Sequence, residues 1–431
     1  MVQKHGITWV VVFGVIVLMF LQLPPMAAKQ DSVVHTYSAL VEVDALAKQQ
    51  YVEPILDDRL VDGAIRGMML KLDPYSGYIS PEELPAFERR SRGDFSSVGI
   101  ELGAREGQLV VIAPVEGSPA ARAGVQAGDV LLSVDGKSLE GRSVFEVEEM
   151  LVGAPGTRAA LELRHAEDAT ATTLTLTRGP VHLKTVRGFR RDVRTGRWDF
   201  MIDPAAGAAY IRVSNFRENT LADFDAALRE VLDAQAKSLI LDLRFNPGGL
   251  MQQGIAMADC FLESGLIVST VTRLRAIEEY NATPEGTVGN IRLVILINGG
   301  SASSSEIVAG ALQARGRATI VGQRSFGKGS VQHLIHLQGH KAAVKLTVAY
   351  YRLPDGRIIH RTDANAATDV WGVTPDVIVP LDDTENQAIR ASRSALDAAA
   401  PGGDGTAGDL LLDRQLLEAL SLARAPTTSS N

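Results

Sequence analysis

The chain holds a single cysteine, Cys260, in 431 residues. An intramolecular disulfide and a Cys-rich zinc site are therefore both excluded, and with no pair to form the cysteine carries no information about redox compartment. A basic excess is also missing. Lys and Arg number 43 against 51 Asp and Glu, a formal net charge of -8, so the chain as a whole lacks the electrostatic footprint of a nucleic-acid binder. No internal repeat is found. What remains is an ordinary globular composition, 45% hydrophobic and 22% charged, in a chain long enough for two or three domains. Wholly disordered, collagen-like and polytopic membrane classes are excluded.

One uncharged run stands near the start, from Ile7 to Leu23, polar only at Thr8 and Gln22. Lys4 precedes it and Pro24-Pro25 ends it. It is longer than the usual apolar core of a signal peptide and at the short end for a spanning helix. A cleaved signal over residues 1–28 and an uncleaved anchor touching the membrane through residues 7–23 both fit. Either one exports the rest of the chain, which predicts a periplasmic protein or one held at the inner membrane facing the periplasm.

Three further regions differ in pattern. Residues 30–93 read as helical: Val33, Leu40, Val43, Leu46 and Ala47 recur at helical spacing. A second helix runs from about Asp58 to Leu72 and stops at Asp73-Pro74. Ser80-Pro81-Glu82-Glu83 signals a third, with Ser80 as cap and Pro81 in the first helical position. Residues 94–179 form a small, mostly β module. Its short apolar runs are Val98 to Leu102, Leu109 to Ala113, Asp129 to Val134, Ala159 to Leu163 and Thr172 to Thr177, with helical stretches near Ala120 and from Val144 to Leu151. Residues 180–381 read as α/β. Ser238 to Leu243 is a strand, followed by a turn and a helix from Leu250 to Leu262. Leu293 to Ile297, the turn Asn298 to Ala302 and the helix Ser303 to Ala314 repeat that grammar, and Thr319 to Val321 begins a third strand. Repeated strand-turn-helix units predict parallel strands with right-handed crossovers. Val331 to Leu337 and Ala343 to Tyr351 read as an antiparallel pair. Residues 382–431 carry helices at Glu385 to Ala399 and Leu410 to Leu422, a Gly-rich linker between them, and a Thr/Ser tail expected to be disordered.

In an open parallel sheet, sites form beyond the carboxyl ends of the strands. Two turns lie at such ends, Asn246-Pro247-Gly248-Gly249 and Asn298 to Ser303. Each opens a helix and so offers unpaired backbone N–H groups and a positive dipole end, the elements of an oxyanion hole. Ser303 is the candidate nucleophile, although Ser303-Ser304-Ser305-Glu306 also reads as a capping box that needs no chemistry. A serine needs a base. Histidine is the usual choice, and none of the eight adjoins Ser303 in sequence, which leaves them open as candidates in space. Lys328, in Phe326-Gly327-Lys328-Gly329-Ser330, follows the third strand of the same unit, and burial in an apolar pocket would depress its pKa and make it a usable base. Gly322 to Lys328 also matches a phosphate-binding loop up to its lysine. The next residue is Gly329 rather than Ser or Thr, the next segment reads as strand rather than helix, and nucleotide is not expected outside the cytoplasm; these three points argue against that reading, which ATP binding would test.

These residues resemble the carboxyl-terminal processing peptidases of family S41, exported serine proteases with a Ser-Lys dyad and an inserted PDZ domain. The resemblance rests on NGGSASSSEI at 298–307, FGKGSVQ at 326–332 and LDLRFNPGG at 241–249, with LDPYS at 72–76 and GVTPD at 372–376, and it extends from about Tyr37 to Val379. It implies Ser303 as nucleophile, Lys328 as general base and Gln332 as the residue that orients the lysine. It implies an oxyanion hole from the backbone N–H groups of Gly249 and Ser304, with Ser304 contributing backbone only. It also implies that the β module is a PDZ domain whose carboxylate-binding loop includes Val98, Gly99 and Ile100, with Val144 to Leu151 lining the peptide groove. The expected fold is an α/β protease core with parallel strands, an inserted PDZ domain and a helical N-terminal region. The expected partners are protein substrates with apolar carboxyl-terminal tails, a second copy of the chain, and an adaptor protein; no cofactor, metal or nucleic acid is implied. The rival reading is a catalytically silent PDZ scaffold.

Overall fold

The structure, a computed structural model, describes residues 37–425 except 56, 86, 89–95, 106–107, 116, 127, 143, 166–169, 182–183, 193–196, 275–276, 367, 369 and 399–412. The run from Ile7 to Leu23, the Gly-rich linker and the Thr/Ser tail lie outside these residues. Among the described residues no helix is long and apolar enough to cross a membrane. Strands of two or three residues and four-residue helices are left unlabelled below.

The chain divides into two compact units, residues up to Tyr78 and residues from Ile79 onward. The first contains helix α1 (37–50) and helix α2 (Asp57–Leu70). The apolar residues that marked α1, Leu40, Val43 and Leu46, are exposed. The expected helical region continued to residue 93, but the third helical turn belongs to the second unit. There the Ser80 N–H donates to Glu83 (3.0 Å), and Ile79, Leu84 and Phe87 pack with Leu334 and Ala343.

The β module is built from β1 (Ile100–Arg105), β2 (Gln108–Pro114), β3 (Val130–Val134), helix α3 (Val144–Leu151), β4 (Arg158–Arg164) and β5 (Thr172–Thr177), sheet order β1-β2-β3-β4-β5. All of these pairings are antiparallel. Its core joins Val98, Val111, Leu131, Val147, Leu151, Leu161 and Leu163. The expected first strand began at Val98, but β1 begins at Ile100. Gly99 has φ +79°, which breaks the extended run and turns the chain.

The α/β core of the second unit is a sheet of β6 (Ala208–Val213), β7 (Ser238–Asp242), β10 (Arg292–Ile297) and β11 (Ala318–Gly322), paired in parallel in that order, with Val377–Ile378 parallel to β11 at the edge. Helices α4 (Thr220–Asp233), α5 (Met251–Asp259) and α6 (Ser304–Ala314) connect them. Strand side chains alternate between faces. Ala209, Ile211, Leu239, Leu241, Leu293 and Ile295 pack with α4, α5 and α6. Ala208, Tyr210, Ile240, Val294, Leu296 and Val321 pack with α7 (Asp383–Ala398) and α8 (Arg414–Arg424) on the other side. Burial of both faces explains why these strands read as continuous apolar runs rather than alternating ones.

A second, antiparallel sheet contains β8 (Gly265–Thr272), β9 (Ile277–Ala282), β12 (Ser330–His336) and β13 (Ala343–Arg352). β12 pairs with β13, β13 with β8 and β8 with β9.

Candidate active site

Three loops meet at the carboxyl edge of the parallel sheet. The turn after β7 and the turn after β10 are braced against each other by side chains that serve as backbone substitutes. Asn298 Oδ1 accepts from the Phe245 N–H (2.9 Å) and the Gly300 N–H (3.0 Å). Ser301 Oγ donates to the Leu243 carbonyl (2.8 Å), and Ser305 Oγ donates to the Asn246 carbonyl (2.9 Å). The third loop joins through the Phe326 N–H, which donates to the Ser301 carbonyl (2.9 Å). Every one of Asn246, Asn298, Ser301 and Ser305 is buried. The Asn and Ser residues in these motifs therefore satisfy backbone groups where neither helix nor sheet can.

Ser303 sits at the strand-to-helix junction with φ 57° and ψ -116°, a conformation L-residues rarely adopt. The side chain is nearly buried. Gly248 packs so closely that a Cβ there would lie 2.7 Å from Ser303 Cβ, and a Cβ on Gly249 would lie 2.1 Å from the Phe216 carbonyl oxygen. Only glycine permits this approach of the two turns. Among the described residues no acceptor takes the Gly249 or the Ser304 N–H. Ser304 is the first residue of α6, where no intrahelical acceptor exists. Two unengaged N–H groups beside a serine are suited to hold an oxyanion. Ser304 was expected to contribute backbone alone. Its hydroxyl also donates to the Gly249 carbonyl (3.2 Å), which ties the two turns together because a small donor fits between them.

Glu306 organises the centre of the site. It is fully buried, and its carboxylate accepts four hydrogen bonds. Oε2 takes the Ser303 N–H (2.8 Å) and the Lys328 N–H (2.8 Å); Oε1 takes the Gly327 N–H (2.7 Å) and the Ser325 hydroxyl (2.5 Å). Ser303 and Lys328 are 25 residues apart in sequence, yet their backbone nitrogens share one oxygen. Burial pushes the Glu306 carboxyl above its usual range, and the Ser325 hydroxyl and the three N–H donors pull it back.

Lys328 is half-buried. Burial pushes its ammonium below the usual lysine range, Lys345 adds to that, and Glu306 opposes it. Gln332, on β12, donates its amide hydrogens to Ser330 Oγ (2.9 Å) and Thr347 Oγ1 (3.1 Å), which fixes the plane of the amide. Burial pushes the Tyr351 hydroxyl above its usual pKa range, and the nearby Ser303 side chain opposes that shift. The Tyr351 N–H donates to the Gly329 carbonyl (2.8 Å), so β13 holds the lysine loop from behind. The segment after Lys328 is strand, not helix, in agreement with the rejection of a phosphate-binding loop. Sequence reasoning gave no role to Tyr351, Lys345 or Ser325. It saw Glu306 as a helix cap and as part of the 298–307 motif, with no link to the lysine loop.

In the β module, the Val98 carbonyl accepts from Ala120 N–H (2.9 Å) and the Gly99 carbonyl from Val115 N–H (2.9 Å) and Ser118 Oγ (3.0 Å). A Cβ on Gly99 would lie 2.2 Å from Ser118 Cβ. Val98, Gly99 and Ile100 thus form a fixed, buried turn at the start of β1.

Taken as chemistry, a strained serine, paired N–H donors and a half-buried lysine on neighbouring loops form a site of the kind used for acyl transfer. Residues 207–379 match peptidase family S41, residues 110–165 match the PDZ domain, and residues 22–83 match the N-terminal domain of the activating protease CtpB. The carboxy-terminal-processing protease of Bartonella bacilliformis is 36% identical over 354 residues, 80% of this chain and 76% of that protein. The carboxyl-terminal-processing protease of Synechocystis is 35% identical, over 78% of this chain and 74% of that one. The carboxy-terminal processing protease CtpA of Bacillus subtilis is 32% identical, over 78% and 67%. Among solved structures, the photosystem II D1 C-terminal processing protease is 29% identical with a TM-score of 0.47, covering 82% of this chain and 89% of that one. The chain belongs to peptidase family S41. It is a serine-type endopeptidase of the carboxyl-terminal processing class, and it carries a PDZ domain.

Proposed function

We propose that the protein is an exported endopeptidase that processes or degrades proteins from an apolar carboxyl-terminal tail. Ser303 attacks the scissile carbonyl and Lys328, in its neutral form, takes the hydroxyl proton. Gln332 Oε1 orients the lysine. The N–H groups of Gly249 and Ser304 hold the oxyanion of the tetrahedral intermediate. Lys328 then returns the proton to the leaving amine, and water activated by the neutral lysine releases the acyl group. The observation that carries this reading is the shared Glu306 oxygen, which keeps the backbone nitrogens of Ser303 and Lys328 within twice a hydrogen-bond length of each other. The depressed Lys328 pKa supports the base role.

The PDZ domain takes the substrate tail as an added strand along β1, its carboxylate held by the Val98-Gly99-Ile100 turn and its side chains facing α3. The uncharged run at 7–23 supports a location in the periplasm or at the inner membrane, and self-association and an adaptor belong to the same proposal. The test is cleavage of an unfolded protein with an apolar carboxyl terminus by chains lacking residues 1–28. The wild type cuts, and folded Ser303→Ala and Lys328→Ala variants do not. Variants that cut as well as wild type rule out the dyad. A wild type that leaves a PDZ-bound peptide whole after long incubation favours the scaffold.

A further inference from the structure

Glu306 does more than cap its helix. A capping carboxylate needs one N–H partner, that of the N-cap residue. This one has three further donors, and all lie in the loop that carries Lys328. Ser325, whose hydroxyl donates to Glu306 Oε1, also accepts from the Val373 N–H (2.7 Å), and the Ser325 N–H donates to the Val373 carbonyl (3.1 Å). The Lys328 loop is therefore held between Glu306 on one side and residue 373 on the other. The carboxylate is fully buried, so water does not compete for it. A buried carboxylate without its donors costs far more than the bonds themselves contribute, which makes the arrangement close to all-or-none.

We infer that Glu306 is a positioning residue for catalysis: its single carboxylate fixes the nucleophile loop against the base loop and presents a negative charge to Lys328. The inference rests on the Ser303–Lys328 reading above. The groups that set the Lys328 charge come from three elements. Lys345 on β13 disfavours the ammonium, Glu306 on α6 favours it, and burial by the loop disfavours it. Tyr351, also on β13, feels the same Glu306 charge.

The test is Glu306→Gln in the full chain, read by kcat, KM and the pH profile of kcat/KM on a tail-bearing protein substrate. The amide keeps size and one acceptor but removes the charge and turns a donor toward donors. The expected result is a fall in kcat of about 100-fold, the scale of a small displacement between reacting groups. KM changes little, and the alkaline-rising limb moves to lower pH, because the group that favoured the ammonium is gone. A purely structural role lowers kcat or stability and leaves the limb where it was; that outcome, or wild-type activity, overturns the inference. Should the Gln variant not fold, Glu306→Asp carries the test. It keeps the charge but sets it one methylene short of its donors, so kcat falls while KM, the limb and the urea midpoint stay in place; undiminished kcat, or a kcat loss that comes with a matching loss of stability, overturns the inference. Failure of the underlying reading is separate: there Ser303→Ala and Lys328→Ala remain active. Inactive Ser303→Ala and Lys328→Ala beside a Glu306→Gln with an unmoved limb sinks only the role given to Glu306.

Discussion

Arg244 joins the turn that carries Gly249 to helix α8, and its removal is the most informative perturbation of the fold. Its side chain is fully buried between two carboxylates. Nε and Nη2 bond Asp242 (2.7 Å from Nη2), and Nη1 donates to Asp413 Oδ1 (2.9 Å) and Gln415 Oε1 (3.1 Å). Asp413 is the N-cap of α8 and accepts from the Gln415 and Leu416 N–H groups (both 3.1 Å). Burial opposes ionisation of Asp242, but Arg244 and Arg393 overcome it and hold the carboxyl well below the usual range. Arg244→Met leaves Asp242 with Arg393 and leaves Asp413 buried without its cation. Breaking a buried pair from one side costs about 3–5 kcal/mol. That is a large share of a total stability of about 5–15 kcal/mol. Urea unfolding should show a lower midpoint with an unchanged slope. Activity should fall in parallel at urea concentrations below the midpoint, because the turn carrying Gly249 begins just beyond Arg244. A loss below about 1 kcal/mol would refute the reasoning, since a rim-like pair has that value. The pH dependence has a fixed sign. A depressed native pKa stabilises above the unfolded value near about 3.9, and that contribution is lost as pH falls through the native value, so acid unfolding should begin below about pH 4.

Further outcomes follow from the close approaches and charges. Gly249→Ala places a Cβ 2.1 Å from the Phe216 carbonyl oxygen and displaces the Gly249 N–H; kcat should fall by about 100- to 1,000-fold with KM nearly constant, and unchanged steady-state kinetics would dismiss the oxyanion role. Gly99→Ala meets Ser118 at 2.2 Å with φ +79°. Calorimetric titration with an apolar tail peptide should show weakened binding in this variant, while a short substrate that bypasses the PDZ domain is cut normally; equal peptide affinity counts against the assigned turn. Lys345→Met removes a cation that disfavours the Lys328 ammonium. The rising limb of kcat/KM should then move to higher pH, and a stationary limb speaks against Lys328 as the titrating base.

Much of the site was legible because its loops carry glycine, asparagine and serine in fixed order. The turns at 246–249 and 298–303 must satisfy buried backbone groups with side chains, and few residues do that. The strands β7, β10 and β11 and the helices after β7 and β10 also stood out, since burial on both faces leaves unbroken apolar runs. β6 and α4, between residues 208 and 233, gave no such signal: they carry no turn motif and were read only as part of a general α/β stretch. β8 and β9 were invisible for another reason. They pair antiparallel, and β9, at the edge of its sheet, reads as Ile277 to Ala282 with three of its residues polar or charged and exposed. The placement of Tyr351 behind the lysine loop depends on the register of β13 against that loop, which a local pattern does not encode. Glu306 was visible as the last residue of a capping box, but its partners 19 to 22 residues away follow only from the fold.

The central claim is that Ser303 is a nucleophile activated by Lys328. It is tested most directly by reaction with a serine-directed fluorophosphonate, followed by peptide mass spectrometry across a pH series. Phosphorus bonds to the serine oxygen, fluoride leaves, and the proton passes to the base. The account predicts an adduct on Ser303 in the wild type, labelled faster as pH rises through the Lys328 pKa, and no comparable labelling in Lys328→Ala. An adduct on another serine, or labelling of Ser303 at the same rate in Lys328→Ala, contradicts it.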